Sequence, residues 1–315
     1  MQFHLQYTPI KSSFEIKHQH QLFLIGSCFS ENIHQKLIDL KFNSFSNPNG
    51  ILFNPISIYQ ALNTAVNLPI TQQAFIIKRD GLYYSFLHHT IINDSNSKIL
   101  QQKIQEIEIL KTEKLKSCHY LFITFGTAYY FLHKTLNIPV ANCHKQAQQE
   151  FEKRKLSVNE IVETYHNLIH SLVKINPQLK IIFTVSPVKH LKDGLIENNL
   201  SKATLLLSVN EICNLHSNCF YFPAFELVND DLRDYRFYKQ DMAHPNEQAI
   251  DYVWEKFSDC YFNSDTKKIN EEIEKLNSFI HHRHLHPTAK VEQDASNFIL
   301  KQKEIIQKLY PQIQF

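Results

Sequence analysis

Four short apolar runs punctuate the chain, at residues 22–25, 120–125, 180–185 and, more weakly, 219–222. Runs of this length, stopped at Gly26, Gly126, Ser186-Pro187 and Pro223, predict strands buried on both faces. Helical spacing lies between them. Residues 31–40 carry it at Ile33, Leu37 and Leu40. Ser157-Val158-Asn159-Glu160 has the form of a capping box, with apolar positions continuing at Ile161, Tyr165, Leu168 and Leu172. Residues 200–216 and 247–262 are also periodic, and 98–116 reads as an outer helix. Strands alternating with helices predict a three-layer α/β/α sandwich around a parallel sheet. Ligands of such sheets bind at the carboxyl ends of the strands, which directs attention to Ser27-Cys28, Gly126-Thr127 and Ser186.

Two segments depart from this alternation. Residues 74–78 and 82–86 flank Arg79-Asp80-Gly81, and Asp-Gly predicts a tight hairpin turn. Beyond residue 263, segments 267–279 and 294–309 predict two helices, the second with Asp294 as N-cap. The expected organisation is an α/β domain over 1–263, with a hairpin insertion near 74–87, and a C-terminal helical extension over 264–315. The extension is too short for a core of its own, so it is expected to pack on the domain.

Composition narrows the function classes. The 315 residues include only five glycines, roughly a quarter of the usual share. None are spaced for a dinucleotide turn, a phosphate loop or a G-x-S-x-G elbow. A net charge of +2 gives no concentrated basic surface, so no nucleic-acid partner is expected. No apolar run is long enough to span a bilayer, and the first fifteen residues lack the apolar core of an export signal. With six cysteines and no C-x-x-C pair, reduced thiols in the cytoplasm are expected.

The chemistry concentrates in two places. Ile25-Gly26-Ser27-Cys28-Phe29-Ser30 is a strand-to-helix turn that presents a nucleophile. Asp241-Met242-Ala243-His244-Pro245 puts a carboxylate and an imidazole on one loop, where Asp241 can orient the His244 ring and leave its Nε2 to act as base. Pro245 is expected at the first position of the following helix.

The Asp-x-x-His-Pro segment resembles the last block of the SGNH (GDSL-like) hydrolases, and Gly26-Ser27-Cys28-Phe29 stands where they carry their nucleophile turn. More closely, the chain resembles the GSCFA family, with Ser30 where that motif has alanine. The likeness continues through Asn47-Pro48-Asn49-Gly50, Phe125-Gly126-Thr127-Ala128, and Val140-Ala141-Asn142-Cys143-His144-Lys145. It also takes in Ser186-Pro187-Val188-Lys189-His190 and 232–238. The resemblance implies a flavodoxin-like sheet and ester hydrolysis or acyl transfer without a cofactor. Cys28 falls in register with the nucleophile serine; Gly50 and Gly126 match the second- and third-block glycines, and His244 and Asp241 the base and its orienter. Two positions depart: a thiol replaces the hydroxyl, and Ala128 stands where an oxyanion asparagine is usual. Thr127 or Asn142 is a candidate substitute. Ser27, one residue from Cys28, is the alternative nucleophile.

Other candidates carry two readings each. Asn142 and His144 can serve the site or simply close a turn; His190, just past a strand end, can border the pocket or sit on the surface. Arg233 and Arg236 can bind an anionic part of the substrate or pair with Asp230, Asp231 and Asp234. The histidines at 281–286 include an i,i+4 pair, but Pro287 and the absence of acidic or Cys neighbours argue against a metal. The expected protein acts on a small-molecule or carbohydrate ester or thioester. The rival is a non-catalytic binding module that keeps the pocket.

Overall fold

In the computed structural model, residues 7–67, 75–281 and 289–315 are described. In chain order they form β1 (Gln21–Gly26), α1 (Cys28–Asp39), β2 (Asn43–Ser46), α2 (Pro55–Asn67), β3 (Ile76–Arg79), β4 (Leu82–Ser85), β5 (Asn93–Asp94) and α3 (Ser97–Ser117). Then come β6 (Tyr120–Phe125), β7 (Tyr129–His133), β8 (Ile138–Val140), β9 (Phe151–Lys155), α4 (Val158–Ile175), β10 (Lys180–Val185), α5 (Gly194–Leu215) and β11 (Cys219–Tyr221). A short α6 (Ala224–Glu226), α7 (Glu247–Tyr261), α8 (Ser264–His281) and α9 (Ala289–Leu309) complete the chain.

The central sheet is parallel throughout, in the order β11-β10-β6-β1-β2. Successive strand residues point to opposite faces, so one apolar run feeds two cores. Phe23, Ile25, Leu121, Ile123, Phe125, Ile181 and Phe183 join residues of α2, α4 and α5 on one side. Leu22, Leu24, Phe122 and Ile182 join residues of α1 and α7 on the other. This is a three-layer α/β/α sandwich with the flavodoxin-like strand order. The helices after residue 263 share the second core through Ile269, Ile273, Leu276 and Ile306.

That strand order fixes where a ligand site belongs. The chain leaves β1 toward one edge, through β2, and returns through β6 to build the other side. The switch point therefore lies between β1 and β6, whose carboxyl ends carry Ser27-Cys28 and Gly126.

Local signals account for the helix boundaries. Ser157 accepts from the Glu160 N–H while the Glu160 carboxylate accepts from the Ser157 N–H, the reciprocal box expected there. Two expected starts move. Asn246 caps α7, its side chain accepting from the Ala249 N–H, so Pro245 precedes the cap instead of opening the helix. Asp294 lies inside α9 rather than at its cap. The Asp-Gly hairpin joins β3 and β4, and β5 adds a third strand. A second antiparallel sheet, β8-β7-β9, was not expected from the apolar pattern. Its strands are short and bury only one or two residues each, so they lack the fully buried signature of the central strands.

Candidate active site

The nucleophile turn is built by a close approach of two strands. Gly26 has φ +140°, and a Cβ there would meet the Thr124 carbonyl oxygen at 2.2 Å. Its N–H donates to Asn47 Oδ1 at 2.8 Å and its carbonyl accepts from Leu52 N–H at 2.9 Å, so the turn is pinned on both sides. Ser27 N–H donates to Thr124 O at 3.2 Å. Ser27 is the N-cap of α1: it is 1% exposed, and its hydroxyl accepts from Phe29 N–H at 3.4 Å. Cys28, the first residue of the helix, is half-buried and in no disulfide. Its N–H stands where a helix offers no intrahelical acceptor, available to an anion.

Opposing influences act on the Cys28 thiol. Burial raises its pKa, and this outweighs the Cys28 and Phe29 N–H groups and the charges of Lys202 and Lys239, which pull the other way.

The Asp241–His244 loop sets a carboxylate against an imidazole. Asp241 Oδ2 accepts from His244 Nδ1 at 2.6 Å, and Oδ1 accepts from the N–H groups of Ala243 at 2.9 Å and His244 at 3.0 Å. The turn has Met242 at φ 54°, and Lys239 N–H donates to His244 O at 2.7 Å. Lys189 N–H, following β10, donates to Ala243 O at 3.0 Å and fastens the loop to the sheet's carboxyl end. His244 Nε2 is left without a protein partner among the described residues, and both side chains are about half exposed. No hydrogen bond joins Cys28 Sγ to His244 among the described residues.

The same backbone N–H groups and the His244 ring hold the Asp241 carboxyl well below its ordinary value of 3.8. A depressed carboxyl stabilises the fold fully above its unfolded value, and that contribution is lost as the pH falls toward its lowered one. A 13C titration of the side-chain carboxyls is expected to give Asp241 a midpoint well below 3.8. A midpoint at the ordinary value would mean the pair is open in solution.

The remaining predicted residues divide into two groups. Gly126 lies against the nucleophile turn: a Cβ on it would meet Phe53 O at 2.9 Å, His190 Nε2 at 3.2 Å and Ser27 Cβ at 3.5 Å. His190 thus borders the turn, edge-on to Phe53; burial first, then the Lys202 and His244 charges, pushes it down to about 3. It is a neutral ring at neutral pH. The N–H groups of Gly126 and Thr127 both donate to Phe53 O, at 2.8 and 2.9 Å, and Gly50 N–H donates to Asn47 O at 2.8 Å. The Thr127 hydroxyl bonds Ser201 Oγ at 3.1 Å. Asn142 and His144 bond within the turn after β8 and to β4: Asn142 Oδ1 accepts from His144 N–H at 2.8 Å, and His144 Nε2 pairs with Ser85 O at 2.8 Å. Arg236 faces Asp234 at 3.5 Å and the Phe237 ring, and Arg233 ends the turn after α6 with φ 37°.

Sequence reasoning missed Lys202. It is 2% exposed on α5, and its Nζ donates to Gly126 O at 2.5 Å and Ser186 O at 2.6 Å. Polar and apolar residues are spread around α5 without a stripe, so nothing in the pattern marks this lysine as buried. Among the described residues no group of His, Cys, Asp and Glu is arranged to hold a metal ion, and the side chains at 281–286 lie outside the described residues. No described helix is long and apolar enough to cross a membrane.

Residues 21–257 match the GSCFA family. The chain belongs to that family. No curated protein matches it. Among solved structures, this GSCFA protein is similar to a carbohydrate esterase family 3 protein from Talaromyces cellulolyticus, with 9% identity and a TM-score of 0.37 over 81% of this chain and 99% of that one. It is also similar to a mutant acetyl esterase with acetate ion, at 9% identity and TM-score 0.35 over 82% and 99% of the two chains. An acetyl xylan esterase from the rumen bacterium Butyrivibrio proteoclasticus gives 11% and 0.38, over 86% and 66%.

Proposed function

We propose that this GSCFA protein hydrolyses or transfers an acyl group from a small-molecule or carbohydrate ester or thioester. The observation that carries the reading is the oriented Asp241–His244 pair, fastened to the same carboxyl end of the sheet at which β1 delivers the half-buried Cys28 thiol to a helix start. Cys28 Sγ attacks the carbonyl carbon while its proton passes to His244 Nε2, and Asp241 stabilises the imidazolium. The oxyanion forms against the Cys28 N–H, at the positive end of α1. Collapse expels the alcohol or thiol, which takes the proton back from His244. Water or an acceptor then attacks the thioester on Cys28, again through His244, and frees the thiol.

A second reading, a binding module without turnover, draws on one observation: the amides of Gly50, Gly126 and Thr127 already donate to backbone carbonyls. A thiol-reactive acyl probe separates the two. Labelling of Cys28 is expected to slow by roughly a hundredfold or more in His244→Ala. Equal labelling in the two proteins would remove His244 as base and favour the binding module.

A further inference from the structure

The apolar residues of α5 form no single stripe because they form two, on opposite sides of the helix. Leu205, Val209 and Ile212 are buried in the core beneath it. Ile196, Leu200 and Leu207 lie on the other side and are 76%, 48% and 60% exposed, with exposed Ala203 between them. A helix with apolar residues all round is ordinarily covered all round. The outer four follow the spacing i, i+4, i+7, i+11, which is the seam of a helix that pairs with another helix. Asn210 and Asn214 stand at the next two seam positions, so the apolar stretch is confined to about three turns. Exposed Asn199 and Glu211 flank it, and an apolar patch with a polar rim is the mark of a docking surface.

We propose that a second copy of this chain covers the outer face of α5, the two helices pairing antiparallel about a two-fold axis. The seam is self-complementary in that direction, as a two-fold interface requires. An axis between residues 201 and 202 sets Ile196 against the second copy's Leu207, and Leu200 against its Ala203, a large side chain over a small one. The ends then match in charge. Asp193 and Glu197, at the N-terminal end, are already paired within the chain, with Lys153 and Lys155. That leaves Lys192 at this end and Glu211 toward the other, neither in an ion pair among the described residues. Antiparallel pairing brings the Lys192 end of each copy to the Glu211 end of the other. Parallel pairing would instead set Glu211 beside its own copy and carry Asn210 and Asn214 into the seam. The seam is short beside an interface of standard size, so the dimer is expected to come apart on dilution. None of this depends on the acyl-transfer reading.

The test weighs the full chain in solution. Sedimentation equilibrium is expected to give a mass that rises with concentration toward twice the 37.1 kDa of one chain. Leu200→Glu combined with Leu207→Glu is expected to hold the mass at one chain with an unchanged circular dichroism spectrum, since both side chains are exposed. Lys192→Glu is expected to weaken association severalfold, and adding Glu211→Lys to restore it. A chain that stays at 37.1 kDa up to roughly 100 micromolar would leave the face to a different partner and overturn the proposal. A dimer that survives the two glutamates overturns it equally. Should the glutamate variant not fold, the charge reversals decide: if the double reversal associates no better than Lys192→Glu alone, the antiparallel pairing is overturned.

Discussion

Cys28→Ala is expected to abolish turnover of a p-nitrophenyl ester panel, while Ser27→Ala retains most of it. Removing a nucleophile typically costs several orders of magnitude in kcat, so at least about a ten-thousandfold loss is expected. The two neighbours are distinguished by their surroundings. Ser27 is 1% exposed, and its hydroxyl is committed as the N-cap of α1, accepting from Phe29 N–H. Its loss is expected to lower stability by about 1 kcal/mol, the usual worth of a cap, and leave the chemistry in place. Cys28 is half-buried at the first helical position, with its own amide available to the oxyanion. Loss of turnover in Ser27→Ala alone would exchange the two assignments.

The second large effect falls on the fold. Gly26→Ala is expected to destabilise the protein by more than about 3 kcal/mol, or to prevent folding, as read by chemical denaturation. The added Cβ would lie 2.2 Å from Thr124 O, 2.9 Å from Thr124 C and 2.9 Å from Thr124 N, all backbone atoms of the neighbouring strand. No rotamer change relieves such a contact. The backbone there has φ +140°, a conformation side chains rarely adopt, so strain adds to the clash. A wild-type denaturation midpoint would mean that β1 and β6 separate freely at the turn, and that the close approach does not set the position of Cys28.

Much of the architecture was legible because the central strands are buried on both faces. Residues 22–25, 120–125 and 180–185 show as continuous apolar runs for that reason, and they became β1, β6 and β10. The edge strand β2 was not legible. Asn43-Ser44-Phe45-Ser46 pairs on one side only, with β1, and needs few apolar residues. The Asp241–His244 contact was legible because three residues of one loop suffice to make it. Two electrostatic features were not. The helix start at Cys28 is visible in the sequence, but the burial that raises its thiol is not. Lys202 is far from both strand ends in sequence, and only the packing of α5 across the ends of β6 and β10 brings its ammonium to Gly126 O and Ser186 O.

The central claim is that an acyl group passes through the Cys28 sulfur. Its most direct test is acid-quenching the full chain during turnover of an ester and locating the acyl mass by peptide mass spectrometry, where a thioester survives the quench. The account predicts the acyl group on Cys28, discharged by hydroxylamine and diminished in His244→Ala. An acyl group on Ser27, or steady turnover with no acyl mass on Cys28, would contradict it.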